Sequence, residues 1–106
     1  MKGNMTLVRI YLAEADHGRK HNLLEEIMEL LHDRHRVHGV TVFRGIAGFG
    51  NKGVLHSADL LRLNARLPLV VEFFDMPTVV DAVLPDLAKL IPDTHILSFP
   101  VSCGLV

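Results

Sequence analysis

Two periodicities alternate along this chain, and their order restricts the fold more than any single residue does. From Met5 to Ala13 the side chains alternate with period two, so Val8, Ile10 and Leu12 take one face of a strand and Leu7, Arg9 and Tyr11 take the other. From about Lys20 to Arg36, Leu23, Leu24, Ile27, Met28, Leu30 and Leu31 recur at three- and four-residue spacing, the stripe of an amphipathic helix. Asn22 either caps that helix or sits in its first turn, and Gly39 is a natural stop for it. Val40 to Ile46 and Leu67 to Asp75 read as the second and third strands. Pro77 suits the first turn of a second helix, in which Val80, Val83, Leu84 and Leu87 line a buried face. Pro85 lies inside that pattern and predicts a kink or a break; Pro92-Asp93 closes the helix, and Thr94 to Val101 is a fourth strand.

The order β-α-β-β-α-β is that of a ferredoxin-like α+β fold, a four-stranded antiparallel sheet with two helices on one face and the first and third strands in its middle. The third strand sets Leu69, Val71 and Phe73 against Val70, Glu72 and Phe74. With the first set under the helices, the bare face carries Leu7, Tyr11, Val70 and Phe74, and Arg9 and Glu72 are available to pair across strands. A face this apolar should not meet water, which predicts a homo-oligomer packing sheet faces together around an axis.

The 106 residues read as one domain, 1–106, large enough for a single core and too small for a two-domain cleft enzyme. A formal charge of -1 offers no electrostatic argument for nucleic acid or for an anionic membrane. No apolar run approaches the roughly 20 residues of a spanning helix, and no signal-peptide pattern is present. The expectation is a soluble, cytoplasmic protein. The lone Cys103 fits a reducing compartment and has nothing beside it to make it reactive.

Function is expected where the second strand ends. Val40-Thr41-Val42-Phe43-Arg44 gives way to Gly45, Gly48 and Gly50, and a long connection, 50–66, follows. That exceeds an ordinary hairpin loop. Gly48, Gly50 and Gly53 permit positive φ and close backbone approach, so successive amides can converge on an anion. Arg44, Lys52 and His56 on this stretch, and Lys20 and His21 at the start of the first helix, are the side chains available to a phosphate or carboxylate. Neither phosphate-loop nor dinucleotide-binding spacing is present. Phe49 is a packing anchor for the loop before it is a base-stacking residue.

Three strings together point to a family. Thr41-Val42-Phe43-Arg44-Gly45-Ile46-Ala47-Gly48-Phe49-Gly50, Val54-Leu55-His56-Ser57 and Leu67-Pro68-Leu69-Val70-Val71-Glu72-Phe73-Phe74-Asp75 resemble the domain of unknown function 190 family, whose members are similar to the PII nitrogen-signalling regulators. The resemblance runs from Arg9 onward. It implies a ferredoxin-like subunit, a homotrimer, and ligand sites in clefts between subunits, roofed by the loop after the second strand. By analogy with PII it implies a small anionic ligand such as an adenine nucleotide, read through Gly48-Phe49-Gly50, and a protein partner addressed by loop 50–66. Where PII proteins carry Thr-Gly-x-x-Gly-Asp-Gly-Lys to hold phosphates, this chain reads Leu90-Ile91-Pro92-Asp93-Thr94-His95. Tyr11 is the sole tyrosine, so the loop has no tyrosine to modify.

Of the seven histidines, His32, His35 and His38 are spaced three apart, a weak metal-ligand pattern that lacks a completing carboxylate or cysteine. They are expected to be solvated residues near a helix carboxyl end, and no metal or cofactor is assigned. Ser57 and Ser98 have no base at recognisable spacing, and Glu25, Glu26 and Glu29 form a solvated helix face. No catalytic set emerges, so the chain reads as a ligand-sensing signalling protein and not an enzyme. The alternatives are a CutA-like divalent-metal tolerance protein and a small enzyme with an inter-subunit site.

Overall fold

The computed structural model describes residues 3–13, 22–46 and 68–104. Strand β1 (Gly3–Ala13) leads to helix α1 (Leu23–Glu29), β2 (Thr41–Arg44), β3 (Pro68–Asp75), helix α2 (Pro77–Leu87) and β4 (Ile96–Cys103). The strands form one sheet in the order β2-β3-β1-β4, every pairing antiparallel, as a ferredoxin-like α+β fold requires. Both central strands bury alternate side chains against the helices. Val8, Ile10 and Leu12 of β1 and Leu69, Val71 and Phe73 of β3 join Leu23, Ile27 and Leu31 and the α2 residues Val80, Val83 and Leu87 in a single core. Each such side chain contributes about 1.5–3 kcal/mol when fully buried.

Local chemistry fixes the element ends. The Asn22 side chain caps α1, its Oδ1 accepting from the Leu24 amide at 2.7 Å. Pro77 opens α2, where a missing N–H has no helical partner to lose.

Three features differ from the periodic reading. First, α1 continues as a π-helical turn, Leu30–Arg34, in which the His35 amide donates to the Leu30 carbonyl at 3.1 Å. The chain then turns at Arg36, where the periodic stretch was expected to end; it is a non-glycine residue with positive φ (51°). Second, α2 runs unbroken through Pro85 and ends at Leu87, two residues later. So near the carboxyl end, the hydrogen bond that proline removes is one of the last available, while Val83 and Leu87 hold the helix to the core. Third, a short 3-10 turn, Asp93–His95, precedes β4, which therefore starts at Ile96 and reaches Cys103.

Candidate functional site

The register gathers the ends of β1, β2 and β3 at one end of the sheet. Ala13 pairs with Pro68 and Arg44 with Leu69. Just beyond β2, the Gly45 amide donates to the Pro68 carbonyl at 2.7 Å. A Cβ added to Gly45 would lie 2.6 Å from Pro68 Cγ and 3.3 Å from its carbonyl oxygen, so close backbone approach demands glycine here. Ala13, Gly45 and Pro68, which lie next to residues 14–21 and 47–67 in sequence or one position from them, therefore meet at this end. Lys20, Gly48, Phe49, Gly50, Lys52 and His56 belong to those stretches and lie outside the described residues, as do His21, Gly53 and Ser57.

Arg44 is described. It is exposed at the last position of the edge strand. Strand alternation puts it with Leu69 and Leu12 on the helix side of the sheet, and puts Phe43 with Val70 and Tyr11 on the other.

Three successive rows lie at the centre of the face away from the helices. Phe74, Leu7 and Phe99 align across β3, β1 and β4; Thr41, Glu72, Arg9 and Leu97 align across all four strands; Phe43, Val70 and Tyr11 complete the third row. Arg9 Nε donates to Glu72 Oε1 at 2.7 Å, the cross-strand pair expected from alternation. The Arg9 guanidinium also lies 5.6 Å from the centre of the Phe99 ring. Its pKa is raised, chiefly by the hydrogen bond to Glu72. Tyr11, Phe43, Phe74, Leu97 and Phe99 are exposed on this face. Phe43, Leu97 and Phe99 enlarge the apolar patch beyond the four residues read from the two central strands. The alternation of Leu97, Phe99 and Val101 on β4 was the signal for Leu97 and Phe99.

The histidines divide differently from the expectation. His32 and His38 are solvated, with side chains 86% and 85% exposed. His35 is not: its side chain is 14% exposed and its Nε2–H donates to Asp86 Oδ2 at 2.8 Å. The spacing accounts for this: His35 lies four residues after Leu31 and eight after Ile27, on the side of the helix that faces the core. Arg34 Nε at 3.7 Å and Lys89 Nζ at 3.5 Å also face Asp86, whose pKa is lowered, mainly by the His35 hydrogen bond. Asp75, 3% exposed, accepts from the Met76 amide at 2.7 Å and the His38 amide at 3.1 Å. Among the described residues, no three His, Cys, Asp or Glu side chains are placed to hold a metal ion.

Between α2 and β4, where a PII protein carries its glycine-rich phosphate segment, the His95 amide donates to the Pro92 carbonyl at 3.0 Å in the 3-10 turn. No helix among the described residues is long and apolar enough to cross a membrane.

The sheet order, the helix placement and the bare face define the class as ferredoxin-like with PII-type topology. Residues 5–103 match the family model DUF190, "Uncharacterized ACR, COG1993", and the chain belongs to that family. The UPF0166 protein MJ1524 of Methanocaldococcus jannaschii is 33% identical over 91 residues, which span 86% of this chain and 82% of that protein. Among solved structures, CPII from Thiomonas intermedia K12, a nitrogen regulatory PII-like protein bound to ADP, AMP and bicarbonate, aligns with a TM-score of 0.71 at 18% identity, over 99% of this chain and 92% of that one. The periplasmic divalent cation tolerance protein CutA from Archaeoglobus fulgidus aligns with a TM-score of 0.62 at 14% identity, over 95% of this chain and 87% of that one. At such identities these two structures establish a shared fold.

Proposed function

We propose that this protein is a PII-like sensor: a homotrimer, without catalytic activity of its own, that binds a small anionic metabolite or adenine nucleotide at clefts between subunits and reports it through the connection after β2. The observation that carries the reading is the convergence of Ala13, Arg44 and Pro68, which border the two candidate stretches of sequence, at one sheet end, in a fold shared with a PII-like protein bound to ADP, AMP and bicarbonate. Arg44, at that end, supplies a cation to a bound anion. The apolar sheet face supports assembly, since aromatic side chains on all four strands stay exposed in a single subunit. The CutA likeness shares the fold, but among the described residues no group of three potential ligands favours a metal role.

A thermal-shift titration with ADP, AMP and bicarbonate, singly and together, tests the reading. Ligand at a hundred times its dissociation constant adds about 2.7 kcal/mol, which raises the Tm of a domain this size by about 10 °C. An unchanged Tm across millimolar concentrations of all of them would reject this ligand class.

A further inference from the structure

We propose that the Arg9–Glu72 pair is the polar key of the sheet face, and that its counterpart is the same pair on a second copy of this chain. The inference rests on the sheet-face assembly given above and specifies how that face chooses its partner. The pair occupies the middle row, between the row of Phe74, Leu7 and Phe99 and the row of Phe43, Val70 and Tyr11. It stands in the interior of an apolar patch and not on a polar rim. Its side chains are 43% and 23% exposed in the single subunit, so a partner seated on the flanking aromatics removes both charges from water.

Hydrogen-bonding capacity then decides what that partner is. Glu72 engages Arg9 through Nε alone, whereas a guanidinium carries five N–H donors and a carboxylate about four acceptor sites. A purely apolar partner would desolvate this remaining capacity without replacing it, which is unfavourable for charged groups. A singly charged partner would satisfy one member and repel the other. A second copy brings one guanidinium and one carboxylate in the same apolar frame and matches both. An assembly shifted by one row would set Arg9 and Glu72 against aromatic residues, so the pair fixes register as well as partner.

Reversing the charges within one chain gives the test. Arg9→Glu/Glu72→Arg keeps an intrachain pair, and this chain should fold and assemble with itself. Wild type and swap, carrying different affinity tags and co-expressed, should sort into separate oligomers, because mixed contacts set Arg against Arg and Glu against Glu. Statistical mixing would overturn the proposal. A second arm uses single reversals, with folding monitored by circular dichroism. Arg9→Glu and Glu72→Arg should each weaken self-assembly about a hundredfold or more, whereas the double swap keeps it, because like charges facing each other cost several kcal/mol and opposite charges attract. Single variants that assemble like wild type would overturn it equally. Light scattering on the wild type separates the two layers: a monomer rejects sheet-face assembly itself, whereas a wild-type oligomer that mixes freely with the swap rejects only the Arg9–Glu72 key.

Discussion

His35 Nε2 lies 2.8 Å from Asp86 Oδ2, joining the π turn after α1 to the last full turn of α2 with both side chains largely out of solvent. The folded-state pKa of Asp86 is lowered, so its contribution to stability is present above the unfolded carboxylate pKa and is lost as pH falls through the folded value. Asp86→Asn should therefore destabilise the protein at pH 7. Urea unfolding should show the gap between wild type and variant shrinking as pH falls below about 4. A gap that stays constant from pH 7 to pH 3 would show that the ionised carboxylate contributes nothing.

Asp75 ties the segment after α1 to the entry of α2. It accepts from the His38 and Met76 amides while almost fully buried. Asp75→Ala removes both hydrogen bonds, each contributing about 0.5–1.5 kcal/mol, so the variant should be less stable. A chemical-denaturation midpoint equal to that of wild type would contradict this arrangement.

Gly45→Val should disturb the start of the long connection without touching a charge. Its Cβ meets the Pro68 ring at 2.6 Å, and a proline ring has little freedom to retreat. Crowding of this kind typically costs about 1–3 kcal/mol. Hydrogen exchange should show faster opening of the β2–β3 ladder, where Phe43 pairs with Val70 and Arg44 with Leu69, while the amides of β1 and β4 keep their protection. Uniform protection across the sheet would reject this role for Gly45.

Much of the fold was legible because both central strands alternate cleanly. Val8, Ile10 and Leu12, and Leu69, Val71 and Phe73, identify the helix-covered face, and the opposite phase identifies Arg9 and Glu72 as cross-strand neighbours. Departures arose where a local rule met a tertiary contact. Gly39 offered the turn after the first helix, but the chain turned at Arg36, three residues earlier. Pro85 offered a break, but helix-end placement and core contacts of Val83 and Leu87 kept α2 intact. Asp75 and Asp86 carried no periodic signal, because their partners come from another element. The glycines from Gly45 onward marked where the second strand ends, yet the close approach of Gly45 to Pro68 depends on strand pairing that composition does not encode.

Titration calorimetry of ADP, with and without bicarbonate, against wild type and Arg44→Ala tests the sensor reading most directly. Loss of one charge-assisted hydrogen bond weakens binding by roughly 1.5–3 kcal/mol, or about 10- to 150-fold. The account predicts saturable binding with one site per subunit, a loss of that size in the variant, and circular dichroism unchanged from wild type. Absence of saturable binding at millimolar ADP, with or without bicarbonate, would contradict the adenine-nucleotide reading, and equal affinity in both proteins would remove Arg44 from the site.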